Sequence, residues 1–184
     1  MPFAFLNEDR KQSIESLEFF FFLGDFYSHL LEKEEKTNPN NTAIKGFLDA
    51  IKSYYHWQYY RIKNYADSLS DYVFWKYRAF YLEEMQKFVS YELTGREFVD
   101  HFYFKLLNDQ DESKLLKKDF KKQETLELNP KSYQFSKIIS DFYFVLEGFD
   151  EEPEPGDLSF VSEDKLRRIV KDVLPRVEKY FIEK

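Results

Sequence analysis

From Ser132 to Phe181 the apolar residues recur at helical spacing on both sides of one segment that cannot be helix. Upstream lie Phe135, Ile138, Ile139, Phe142, Val145, Leu146 and Phe149; downstream lie Leu166, Ile169, Val170, Val173, Leu174, Val177 and Phe181. Steps of i, i+3, i+4 and i+7 are the signature of a helix that buries one face. Between the stripes stands Pro153-Glu154-Pro155-Gly156. Proline has no N–H to donate and pushes the residue before it out of helical geometry. Asn129-Pro130 reads as a cap followed by Pro at the first helical position, and Gly148 as a C-terminal stop. Glu163 and Asp164 fall in the first turn of the second helix, where its dipole favours carboxylates, and Pro175 is expected to kink it. The sequence therefore predicts a helix, an acidic hairpin and a second helix.

The charge along this unit is one-sided. Nine acidic residues and no Lys or Arg lie between Asp141 and Asp164. Asp141, Glu147, Asp150, Glu151, Glu152, Glu154 and Asp157 are accordingly the candidate partner-binding residues. Carboxylates held on rigid helices suit a basic partner, because complementary charge speeds encounter and sets specificity. The competing reading is a solvated turn that only keeps the chain soluble.

Elsewhere the helical period persists. A first helix is expected from about Glu8 to Glu35 (Ile14, Leu17, Phe21, Tyr27, Leu30), with the run Phe19-Phe20-Phe21-Phe22-Leu23 either buried or an apolar docking patch. Turn residues at 37–41 make a loop. A second helix is expected over Thr42–Tyr65 and a third over Ser70–Tyr91, with Ser70 or Asp71 as its cap. Tyr54 to Lys63 interleaves aromatic rings with Arg61 and Lys63, a pattern that either stacks bases or packs a core with wet hydroxyls. Thr94-Gly95-Arg96-Glu97 is a capping box, in which a Thr hydroxyl and a Glu three residues on satisfy each other's backbone N–H groups. The helix it opens carries Phe98, Val99, Phe102, Tyr103 and Leu106, with His101 read as structural. The Lys-rich stretch from Asn108 to Asn129 is expected to be the least regular part.

Composition narrows the function classes. Twenty-one Phe and fourteen Tyr supply a large core, whereas five Gly and six Pro are too few for a β protein with many tight turns. The net charge of −7 argues against direct nucleic-acid contact and against an anionic-membrane binder. No cysteine means no disulfide, thiol catalysis or Cys-based zinc site, which fits a cytoplasmic protein or one of an organelle stroma or matrix. No apolar run approaches the ~20 residues that cross a bilayer. His29, His56 and His101 are isolated, and no phosphate loop or nucleophile turn occurs, so the sequence predicts no enzyme, metal site or cofactor.

The second half of the chain, roughly Phe88 to Lys184, resembles the colicin D immunity protein family. The resemblance is carried by Tyr91-Glu92-Leu93-Thr94-Gly95-Arg96-Glu97-Phe98, by Leu128-Asn129-Pro130, by Phe149-Asp150-Glu151-Glu152-Pro153, and by Val161-Ser162-Glu163-Asp164-Lys165-Leu166-Arg167 with Ile169-Val170 and Val173-Leu174. It implies a four-helix bundle over 91–184 that binds the nuclease domain of a tRNA-cleaving toxin, its carboxylates standing where tRNA phosphates would lie. Residues 1–90 are then a helical extension, alone or within one core. The expectation is an all-α protein of about six helices that blocks a basic nuclease through its acidic hairpin. The alternative is a structural subunit of a larger complex, a ribonucleoprotein included.

Overall fold

The structure, a computed structural model, describes residues 11, 12, 14, 15, 18, 53, 56–152 and 160–182. The chain is all-α: among the described residues there are six helices and no strand. They are α1 (His56–Lys76), α2 (Arg78–Val89), α3 (Gly95–Lys118), α4 (Phe120–Glu124), α5 (Ser132–Glu147) and α6 (Glu163–Ile182). All but five residues of the expected first helix (11, 12, 14, 15 and 18, which are helical, with Ile14 buried), the loop at 37–41, most of the second helix and the aromatic side chains between Tyr54 and Tyr60 lie outside the described residues. Two compact units are present, one of Met1–Leu69 with Leu115–Glu127 and one of Ser70–Lys114 with Leu128–Lys184.

In the first unit, Tyr65, Leu69, Leu116 and Leu126 are buried, and Gln123 is fully enclosed. The Gln123 amide donates to the carbonyls of Leu116 (2.8 Å) and Lys117 (3.1 Å) and accepts from the Tyr65 hydroxyl at 3.2 Å. A side chain thus satisfies the carbonyls that the end of α3 leaves without helical partners.

The core of the second unit is built by the stripes read from sequence. It takes Tyr81, Met85 and Phe88 from α2, Phe98, Phe102 and Leu106 from α3, Phe135, Ile139, Phe142 and Leu146 from α5, and Leu166, Val170 and Val177 from α6. Helix α6 packs on both α2 and α5. Phe88 and Phe98 stack with centroids 4.4 Å apart, and Phe102 meets Phe142 edge-on at 5.3 Å. Such pairs are worth about 0.5–1.5 kcal/mol beyond the area they bury. Phe181, the last residue of the predicted stripe, is instead exposed.

Three boundaries differ from the expectation. Helix α1 continues through Ser68 and Ser70 and breaks only at Tyr77. The polar residues there do not cap: Ser68 Oγ donates to the Asn64 carbonyl at 2.9 Å, Ser70 Oγ pairs with Ser113 Oγ at 2.8 Å, and Asp71 accepts from Ser136. The stretch after Asn108 is regular, because α3 runs to Lys118 with Asp109, Ser113 and Leu116 turned inward, and Asp119 then caps α4 by accepting from the Lys122 N–H at 3.1 Å. Helix α5 starts at Ser132 and not at Pro130. Asn129 still serves that start, its Oδ1 accepting from the Lys131 N–H (2.8 Å) and its carbonyl from the Ser132 Oγ (2.7 Å).

Candidate protein-binding surface

The acidic corner hangs between the end of α5 and the start of α6, and it is fastened to the start of α3. The capping box forms as read: Glu97 accepts from the Thr94 N–H and hydroxyl, both at 2.9 Å, while the Glu97 N–H reaches Thr94 Oγ1 at 3.3 Å. These bonds hold the Glu97 carboxyl below its ordinary range, the Thr94 N–H contributing most.

The next residue, Gly95, is where the elements meet. Its N–H, the first of α3, donates to Glu163 Oε2 at 2.7 Å. Glu163 belongs to the first turn of α6, so one carboxylate serves two helix N-termini. The same carboxylate takes the guanidinium of Arg167 one turn on. Burial pushes the Glu163 carboxyl up, but the Gly95 N–H and Arg167 outweigh it and hold the group below its usual value. The Phe149 ring closes over Gly95, where an added Cβ would stand 2.7 Å from Phe149 Cζ and 2.9 Å from Glu163 Oε2. Only a residue without a side chain fits here.

Beyond Phe149 the arms of the corner pair. The Val161 N–H donates to the Gly148 carbonyl (2.7 Å) and the Asp150 N–H to the Val161 carbonyl (3.1 Å), a parallel bridge. The arms therefore run in the same direction where they meet, which is not the antiparallel pairing of the hairpin the sequence suggested. Helix α5 does end before Gly148, but that residue has φ −86° and carries no left-handed turn.

The candidate carboxylates are placed as follows. Asp150 is half-buried, its Oδ1 accepting from the Glu152 N–H at 3.0 Å. Glu151 pairs with Arg96 at 3.3 Å across the latch, and Arg96 also lies 5.9 Å from the Phe149 ring. Asp141 faces Lys137 at 3.8 Å. Such exposed pairs are screened by solvent and leave the charge accessible. Glu147 and Glu152 are exposed, and no hydrogen bond or ion pair joins their carboxylates to another described residue. Glu147 sits in the last turn of α5, which carries no basic residue, so the helix dipole opposes it. Asp150, Glu151 and Glu152 are contiguous, Glu147 is one turn before, and Asp141 lies about 9 Å further back along α5. Glu154 and Asp157 lie outside the described residues.

Sequence reading missed three buried charges. Glu84, enclosed in α2, binds His101 Nδ1 at 2.7 Å and Lys87 Nζ at 3.2 Å. His101 is thus a tertiary tie. Asp109 accepts from the Tyr81 hydroxyl at 2.6 Å and pairs with Lys105, whose Nζ lies 3.2 Å from the Tyr77 ring centroid. Burial pushes the Asp109 carboxyl up against the pull of Lys105, and burial beside Asp109 raises the Tyr81 hydroxyl. Arg167 caps the carbonyls of Phe88 and, at 3.3 Å, Leu93. The signal for all three was a charge standing on the apolar register of its helix.

Among the described residues no group of three or more His, Cys, Asp or Glu side chains gathers to hold a metal ion, and no helix is long and apolar enough to cross a membrane. Compared with known proteins, the chain matches no family model, no curated protein and no solved structure.

Proposed function

We propose that this chain is a non-enzymatic binding protein that blocks a basic, RNA-cleaving partner through its acidic corner, as its resemblance to the colicin D immunity proteins implies. The observation that carries the reading is the latch of Gly95, Phe149 and Glu163, which ties the corner to the starts of two helices. Rigid attachment lowers the ordering cost of binding, so carboxylates fixed in this way yield more affinity than the same charges on a loose turn. Glu147 supports it further: a carboxylate kept against the dipole of α5 destabilises the helix slightly and raises the negative field at the corner.

The test is affinity capture from the native cells with the tagged wild type and, in parallel, a variant carrying Asp150→Asn, Glu151→Gln, Glu152→Gln and Glu154→Gln. The expected catch is one basic protein that cleaves tRNA, inhibited in proportion to added wild type. The variant should bind it about a hundredfold more weakly, since close charge pairs across such interfaces couple by about 1.5–7 kcal/mol. Equal capture by both forms, with the variant's helical circular dichroism intact, would remove the corner from the interface.

A further inference from the structure

Helix α6 turns a different charge toward solvent. Of its seven exposed positions between Lys165 and Lys179, five are cationic (Lys165, Arg168, Lys171, Arg176 and Lys179), and the others are Asp172 and Pro175. The steps of three, three, five and three residues keep all five on one side of the helix, over about 21 Å of its axis, where they outnumber the two exposed carboxylates on that side, Asp164 and Asp172. No ion pair joins Arg168 or Arg176 to another described residue. In a chain of net charge −7, this is a local reversal of sign.

One aromatic ring stands beside the row. Tyr91 has φ 66°, and it keeps 69% of its surface exposed. It occupies the position after the α2 C-cap where glycine is usual: the Tyr91 N–H donates to the Phe88 carbonyl (3.2 Å) and the Glu92 N–H to that of Lys87 (2.9 Å). The buried Arg167 guanidinium backs the ring at 4.1 Å, and Lys171 lies 5.9 Å from its centroid. A ring held on one side by a guanidinium, exposed to solvent, beside a line of cations, is the arrangement by which proteins hold unpaired nucleotides: a base stacks on the ring and the backbone follows the charges. A flat exposed ring suits a base and cations spaced along the helix suit a phosphate backbone, which together favour a nucleotide strand over an acidic protein.

We infer that the outward face of α6, with Tyr91 as its stacking platform, binds single-stranded nucleic acid. This uses none of the residues of the acidic corner and does not depend on the function proposed for it. It also reverses, for this one face, the expectation that net charge alone sets.

The experiment is fluorescence anisotropy of the full chain with labelled oligouridylate and oligothymidylate of about twelve nucleotides, a length within the usual site sizes. At low salt the dissociation constant is expected near or below about 100 μM. With about four phosphates engaged, the log–log salt slope should be about −3, so a fourfold rise in salt weakens binding about fiftyfold. Arg168→Glu with Lys171→Glu should abolish binding. Tyr91→Gly, which fits the left-handed backbone and removes only the ring, should cost about tenfold, and Tyr91→Phe should restore it. Uridylate binding tighter than thymidylate, or equal to it, supports the assignment in either case. Poly-glutamate serves as the competing polyanion. No binding at low salt, or binding indifferent to Tyr91 and displaced equally by poly-glutamate, overturns it; the second result would make the row a surface for acidic proteins. Circular dichroism guards each variant against misfolding.

Discussion

The Arg167 guanidinium lies 4.1 Å from the ring of Tyr91 and 4.0 Å from the ring of Phe88, buried between the two. Left-handed backbone costs a non-glycine residue about 1–2 kcal/mol. At Tyr91 the cation–π contact offsets that cost, at a magnitude of about 1–2 kcal/mol for a desolvated guanidinium. Arg167 in turn closes the end of α2 by donating to the Phe88 and Leu93 carbonyls. Arg167→Ala removes the cap, the stack and the partner of Glu163 together, and should destabilise the protein by about 3 kcal/mol, as loss of one member of a buried charged network does. Arg167→Lys should recover less than half, because an ammonium lacks the planar fork. Urea unfolding of the three proteins measures both values.

Gly95→Ala should invert the usual sign. In a helix the change ordinarily stabilises by up to about 1 kcal/mol. Here the new Cβ would lie 2.7 and 2.8 Å from two carbons of the Phe149 ring. The ring must leave and take the corner with it, for a net loss of about 2–3 kcal/mol, in the range of overpacked sites. Phe149→Ala should cost a similar amount alone. In the double variant the two losses should fall well short of additive, since the clash exists only while the ring is present. Additive losses in denaturant unfolding would mean that the ring is not what excludes a side chain at residue 95.

How much of this was legible depended on how far apart the partners stand. Thr94 and Glu97 lie within one turn, so the box could be read directly and forms as read. The stripes through Phe135 and Leu166 were equally plain, because burial follows the helical period. Ser70 and Asp71 misled because the hydroxyls and carboxylates that cap helices also bond across a core, and α1 runs through them. The run after Asn108 looked irregular because Asp109, Ser113 and Gln123 are polar yet buried, each with a partner on another turn or helix. Gly95 and Glu163 are 68 residues apart, and nothing local announces their bond. Of the corner, the sequence supplied the charges, whereas the latch that holds it is tertiary.

Acid should expose the Glu163 bond. Its carboxyl titrates below the ordinary value, so its contribution is fully present above the unfolded-state pKa of 4.5 and is lost as pH falls through the lower folded value. Glu163→Gln lacks the charge at every pH. Wild type should therefore exceed the variant in stability above about pH 5, and the gap should close in the acid limb. The side chain is 42% exposed, so the difference should stay near about 1 kcal/mol after solvent screening. Chemical denaturation at stepped pH reads the gap; a constant offset down to the lowest pH would show that the Glu163 charge contributes nothing.

The alkaline side belongs to Tyr103. Its ring meets that of Tyr143 at 5.1 Å, and burial, with the hydrogen bond to the Tyr143 hydroxyl, pushes its phenol up from 10.0 to about 12. A raised folded pKa means that the stabilisation is intact below about pH 10 and disappears as pH climbs through about 12, because the unfolded chain releases this proton first. Tyr103→Phe removes the titrating group while keeping the ring contact. The variant should lose the steepest part of the stability decline between those values, measured as the difference from wild type so that the other tyrosines and lysines cancel. Ultraviolet titration of the phenolates should show one tyrosine fewer in the late-ionising class. If the late class is unchanged in Tyr103→Phe, another hydroxyl carries the shift, and Tyr81, which burial beside Asp109 also raises, is the group to substitute next.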